Sequence, residues 1–322
     1  MDERSVRPPT IVRFTASLVE ADVPERRLTS VAPDGRCCDH EQPLMNAGRW
    51  ADTNSEHVEH FFMSLVVLFV ALVFGVPWLW GYVARPLLVS GDLASFLEGV
   101  LPSVWAPTFC AILLLLWAGG VSAVLREFKT RLSYRSGSGL WLAIAAAVPL
   151  VVTAVALASA RAAGDGTPFI PSAAILLTFG VQVITGASGE ELGWRGYLLP
   201  RLGARIGALP AALVMSTLWA AWHIGAFFTP GMPHYSLPIP MLPFLFVVAS
   251  FGLFLALVFN EGGESVLPTM VAHLSLNVTL AIGGVSLASV VFWRTMAAVY
   301  GVLALVAAVR VRTRVVGEPV LT

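Results

Sequence analysis

Eight apolar stretches separated by short polar segments organise most of this chain: roughly 61–84, 102–125, 138–160, 171–191, 209–229, 239–260, 267–284 and 287–309. A helix of about 20 residues crosses a hydrocarbon core ~30 Å thick, and every stretch approaches that length. The pattern predicts an all-α fold: a polytopic membrane helix bundle with about eight transmembrane helices. Pro77, Pro107, Pro149 and Pro243 fall inside the stretches and predict kinks packed within a bundle. Asn260-Glu261-Gly262-Gly263-Glu264 leaves room only for a tight turn between the sixth and seventh.

Before the first stretch, residues 1–57 are polar, mixed in charge and rich in Pro, Arg and Asp. An apolar region so far from the N-terminus does not make a signal peptide, so these residues are expected to form a largely disordered cytoplasmic tail. The expected division is then a tail over 1–57, three membrane helices over 58–165, a core of four helices over 166–285, and an eighth helix with a basic end over 286–322.

Composition agrees. Mean hydropathy is +0.77, and charged residues make up 12% of the chain where a soluble domain carries about 25%. The formal net charge of zero gives no reason to expect nucleic acid as a partner. Cys37, Cys38 and Cys110 form neither a disulfide framework nor a metal knuckle, and His40-Glu41 lacks the second histidine of an HExxH site because position 44 is Leu. No internal repeat supports a transporter.

Basic residues choose the orientation. Arg126, Lys129, Arg131 and Arg135 follow the second stretch, Arg195, Arg201 and Arg205 the fourth, and Arg310, Arg312 and Arg314 the eighth. The first and third loops carry Arg85 and Arg161 beside Asp92, Glu98 and Asp165. The positive-inside rule then puts both termini of a multi-pass cell-membrane protein in the cytoplasm.

Ionisable residues at membrane depth are expensive and are functional candidates by default. Three clusters qualify: Glu190-Glu191 with Arg195, Trp219 with His223, and His273 with Asn277. Within each, residues four apart share a helix face, so Glu191 and Arg195 can pair. Glu190 lies ~100° around the helix from Glu191, which suggests Glu190 facing the site and Glu191 with Arg195 supporting it. A carboxylate in a dry cavity could act as general base on water, imidazoles could hold water or a metal, and an amide could stabilise an oxyanion. Packing hydrogen bonds between helices are the plainer alternative for any single cluster.

Glu190-Glu191-x-x-x-Arg195, Trp219-x-x-x-His223 and His273-x-x-x-Asn277 together resemble the three motifs of the CPBP family, which groups CAAX proteases, bacteriocin-processing (Abi) proteins and type II CAAX prenyl endopeptidases. The resemblance covers about 171–284, with an echo in Trp105-Ala106-Pro107 and in Phe128-Lys129-Thr130-Arg131-Leu132. It implies an intramembrane endopeptidase with a cytoplasm-facing site, acting on membrane-associated or prenylated CAAX-type peptides and proteins. By the same resemblance Glu190 activates water with His223 as partner, His273 and Asn277 bind metal or stabilise the oxyanion, and Arg195 orients the carboxylates. Zinc on Glu190, His223 and His273 is one form of this chemistry and a metal-free water the other. The family's second motif usually begins with Phe, and here Trp219 keeps the aromatic wall.

Two other readings stand beside it. Gly186-Ala187-Ser188-Gly189 fits the short GxSG pattern of rhomboid-like serine proteases, and the polar clusters could serve a non-catalytic scaffold or bacteriocin-immunity protein. Depth raises a further question, because Glu190 and His223 do not align across the fourth and fifth stretches as drawn. Either the fifth helix begins after a re-entrant segment around 196–211, or the fourth runs deeper.

Overall fold

The computed structural model describes residues 63–134, 138–165, 180–282 and 288–312. The tail expected over 1–57, the first half of the fourth stretch and the basic end beyond 312 lie outside the described residues. All described residues belong to one compact unit, Glu56–Thr322.

They form an all-α, multi-pass membrane bundle. Helix α1 spans Met63–Val83; α2 (Arg85–Leu88) and α3 (Leu93–Val104) are short, and α4 (Ala106–Arg131) and α5 (Ser138–Ala162) are long. Helix α6 covers 180–206. Then come α7 (Ala208–Trp222), α8 (Ile224–Phe228), α9 (Pro233–Ser236), α10 (Met241–Glu261), α11 (Val266–Ile282) and α12 (Val290–Arg312). Among the described residues six helices are long and apolar enough to cross a membrane: α1, α4, α5, α7 with α8, α10 and α12. The seventh stretch folds as α11, whose 17 residues extend about 26 Å at the α-helical rise.

Several details differ from the sequence pattern. Helix α3 precedes the second span and is capped by Asp92, whose carboxylate accepts the Ser95 N–H at 2.9 Å. Pro107 opens α4, where its missing N–H costs nothing. The break in α4 comes instead at Gly119–Gly120, where Gly120 takes φ +68, a conformation that glycine adopts without a Cβ penalty. The depth mismatch resolves through α6, which continues to Ile206 before Gly207 turns the chain into α7.

Helix α10 is central: 61% of its apolar window is buried, against 28% for each of α1, α4 and α5. Lipid tails are as apolar as leucine, so helices in a membrane associate through close packing, and small residues permit it. Gly252 of α10 lies so near Ser216 of α7 that a Cβ there would stand 2.8 Å from the serine side chain. A Cβ on Gly193 of α6 would collide with the Pro107 backbone of α4.

The two ends of the bundle are tied differently. At one, Arg131 pairs with Glu127 at 3.0 Å and with Glu264 at 2.9 Å, while Arg201 reaches Glu127 at 3.3 Å. At the other, Trp80 Nε1 donates to the Gly99 carbonyl (2.8 Å) and Ser289 Oγ donates to Asp165 (2.8 Å). There Gly231, at φ +90, packs against the Leu88 backbone.

Candidate functional site

Helix α6 supplies three charged residues from within the bundle, and its winding decides where they go. It is π-wound over Val183–Ala187 and Leu192–Leu198, leaving one α-turn, Ser188–Glu191, between. Such π segments are rare and recur at functional sites. Glu190 is 4% exposed, and Glu191 and Arg195 are 0% exposed, so these charges rely on protein partners.

The adjacent carboxylates have separate partners. Glu190 Oε2 accepts the Trp219 indole N–H of α7 at 2.7 Å. Glu191 Oε1 accepts from Arg195 Nη1 at 2.8 Å and from His273 Nδ1 of α11 at 2.9 Å. The Arg195 guanidinium lies over the Trp219 ring, 4.2 Å from its centroid, and Trp219 meets His223 and His273 edge to face at 5.4 and 5.3 Å. Glu191 Oε2 and Arg195 Nε and Nη2 find no hydrogen-bond partner among the described residues.

These partners fix which histidine nitrogens carry protons. His223 Nδ1 stands 2.8 Å from the Trp219 carbonyl, which can only accept, so Nδ1 is the donor and a neutral ring keeps its lone pair on Nε2. His273 Nδ1 faces a carboxylate in the same way, so on both imidazoles Nε2 remains for other chemistry.

Glu190, His223, His273 and Asn277 all line one cavity of about 430 Å³, within the range that takes small ligands. Apolar side chains such as Trp78, Phe244 and Trp293 form much of its wall. Glu191 and Arg195 do not line it; they are buried behind Glu190 and His273. Asn277 depends on Gly186 of α6, where a Cβ would stand 2.6 Å from the Asn277 amide nitrogen. Ser188 does not line the cavity either, and its hydroxyl donates to the Val183 carbonyl of its own helix.

Glu190, His223 and His273 supply donor types that zinc accepts. Among the described residues, however, no three His, Cys, Asp or Glu side chains form a group that could hold a metal ion.

Among the lining residues that the sequence pattern did not indicate are Gln182, four positions before Gly186, and His234, from α9. The His234 ring lies 6.3 Å from His223 and packs on Phe244 at 4.8 Å. Its Nδ1 has no hydrogen-bond partner among the described residues. The only sequence signal was a histidine in the Pro- and Gly-rich run after the His223 helix.

Residues 171–279 match a family model described as Type II CAAX prenyl endopeptidase Rce1-like. That segment contains all seven residues of the cluster. No curated protein matches the chain.

Proposed function

Because the chain belongs to the Rce1-like family over residues 171–279, we propose that it is an intramembrane endopeptidase hydrolysing membrane-associated or prenylated CAAX-type substrates. One observation carries the reading: Glu190, His223, His273 and Asn277, drawn from three helices, line the same cavity. A packing role alone would not require them to share an open cavity.

In the proposed reaction, water in the cavity gives a proton to the Glu190 carboxylate while its oxygen attacks the scissile carbonyl carbon. His223, through the Nε2 lone pair, orients that water. The developing oxyanion takes hydrogen bonds from the Asn277 amide, and from His273 when its Nε2 is protonated with Glu191 as counter-ion. Collapse of the tetrahedral intermediate breaks the C–N bond, and Glu190 returns its proton to the leaving amine. Trp219 holds Glu190 from one side, and Glu191 with Arg195 fixes the orientation of His273.

Zinc on Glu190, His223 and His273 remains a separate proposal, and the metal content of the purified protein tests it. The proposal also includes eight membrane helices, the six long ones with α6 and α11, and both termini in the cytoplasm of a bacterial cell. Both follow from the lengths of the apolar stretches and the placement of the basic residues.

The test is cleavage of a mixed peptide library by purified protein in detergent. Glu190→Gln and His223→Ala are expected to abolish it, and Ser188→Ala to preserve it, with all three folding like wild type. Equal activity in wild type and Glu190→Gln would falsify the assigned site. Folded wild type that cleaves nothing would favour the scaffold or immunity reading.

A further inference from the structure

The proposed reaction leaves His234 idle, although its ring lines the same cavity as Glu190, His223, His273 and Asn277. Packing sets its place. The ring meets Phe227 of α8 and Phe244 of α10 edge to face, 5.1 and 4.8 Å between centres, and Phe244 in turn meets Trp293 of α12 at 5.3 Å. The segment that carries it is held against α1 and α2. A Cβ on Gly225 would strike the Trp78 indole, and one on Gly231 would strike the Leu88 backbone.

These neighbours hold the ring without satisfying it: Nδ1 is buried and has no hydrogen-bond partner among the described residues. A buried N–H without an acceptor is rare, an unused lone pair less so. Burial also keeps the ring neutral at pH 7, so the lone pair sits on Nδ1 and the proton on Nε2. His223 is the reverse, since its Nδ1 faces the Trp219 carbonyl as donor and its Nε2 accepts. Two histidines of one cavity thus present opposite hydrogen-bonding character through the same ring atom.

Their spacing fits a peptide backbone. The ring centres of His223 and His234 stand 6.3 Å apart, and two residues of extended chain cover about 6.8 Å. A chain whose scissile carbonyl meets the water on His223 therefore brings another carbonyl to His234. We infer that His234 anchors the bound polypeptide: its Nε2–H donates to a backbone carbonyl one or two residues from the scissile bond and sets the register of the chain across Glu190 and His223. A few placed polar groups in a largely apolar cavity are what fix a ligand's orientation. Cleavage in that register rests on the proposed hydrolase function; the anchor itself requires only a polypeptide in the cavity.

The test uses full-length protein in detergent and the tightest-bound peptide of the mixed library, carrying a fluorophore. His234→Phe keeps an aromatic ring against Phe227 and Phe244 and removes the donor, while His234→Gln returns an N–H near the position of Nε2. His234→Phe should raise KM roughly fivefold to tenfold, the weight of one hydrogen bond, with kcat unchanged, and His234→Gln should recover most of the loss. Binding by fluorescence anisotropy, in the Glu190→Gln background, reads the anchor without the chemistry. There, peptides with one backbone carbonyl at a time replaced by an alkene carbon should show one weakened member within two residues of the scissile bond, and His234→Phe should bind that member as it binds the parent. A fall in kcat at unchanged KM overturns the anchor, as does His234→Gln performing no better than His234→Phe, or an alkene scan identical with and without His234. Glu190-dependent cleavage indifferent to both His234 variants removes the anchor and leaves the hydrolase. His234-dependent binding by folded wild type that cleaves nothing keeps the anchor and removes the hydrolase reading.

Discussion

Arg195→Met isolates the most deeply buried charge pair of the bundle. The substitution removes the Nη1 donor 2.8 Å from Glu191 Oε1 and the cation stacked on Trp219. Glu191, fully buried, then keeps only His273 as a partner from the original pair of contacts. Removing one member of a buried ion pair costs about 3–5 kcal/mol, because the remaining charge can neither pair nor hydrate. A lost cation–π contact on the order of 1 kcal/mol belongs within that range, since one guanidinium makes both interactions. The expected fall in melting temperature is on the order of 10 °C, read by thermal unfolding in detergent. Glu191→Gln with Arg195→Met should recover much of the loss, giving a coupling of roughly 2 kcal/mol in a double-mutant cycle. A single variant within about 1 kcal/mol of wild type, with additive effects, would refute the reasoning, because that is how a hydrated surface pair behaves.

Gly186→Ala should reduce peptide cleavage while the protein still folds, since the new methyl displaces the Asn277 amide; parallel activity and melting measurements check this. Gly193→Ala should act on stability instead, lowering it by about 1–3 kcal/mol through overpacking against the Pro107 backbone. For His234, burial lowers the imidazole to about 4 from its usual 6.5. The folded state therefore favours the neutral ring: its contribution is whole above pH 6.5 and is lost as pH falls toward 4. The melting temperature should fall with pH across that window in wild type and fall less in His234→Phe, with His223, 6.3 Å away, as the neighbouring titratable ring; equal pH dependence in the two proteins would contradict it.

Much of the architecture could be read directly, because a membrane span is a composition and a length. The stretches drawn at 61–84, 138–160, 209–229 and 239–260 fall within two residues of helices at Met63–Val83, Gly139–Ala162, Ala208–Phe228 and Met241–Glu261. The second was placed too early because α3 and α4 form one apolar run interrupted only by the turn at Trp105. Its break was expected at a proline, yet it falls at Gly119–Gly120, since Pro107 at a helix start disturbs nothing. In the site, four-residue spacing correctly indicated a contact between Glu191 and Arg195. It could not show that His273 joins the same carboxylate oxygen from another helix, nor that His234 folds over the cavity. The latter depends on the left-handed turn at Gly231 and its approach to Leu88, a contact between segments more than 140 positions apart.

The winding of α6 shows why spacing alone falls short at this site. On a uniform α-helix, Glu190 and Glu191 differ by one fixed rotation, and Arg195 follows one turn later. Here a single α-turn holding both carboxylates lies between two π-wound segments, and a π-turn advances the side chains by a smaller angle per residue than an α-turn. Within that α-turn the ordinary ~100° step sends Glu190 toward the Trp219 indole and the cavity and Glu191 toward His273, while the π winding that follows sets the direction from which Arg195 meets Glu191. Glycine at 186, 189, 193 and 196 runs along the same helix, and at 189 and 193 a Cβ would strike α3, α4 or the turn between them. Close packing on the glycine side thus leaves α6 little freedom to rewind. The charged residues keep divergent directions because the neighbouring backbone holds the helix in place, so the geometry of the site belongs to the bundle as much as to the motif.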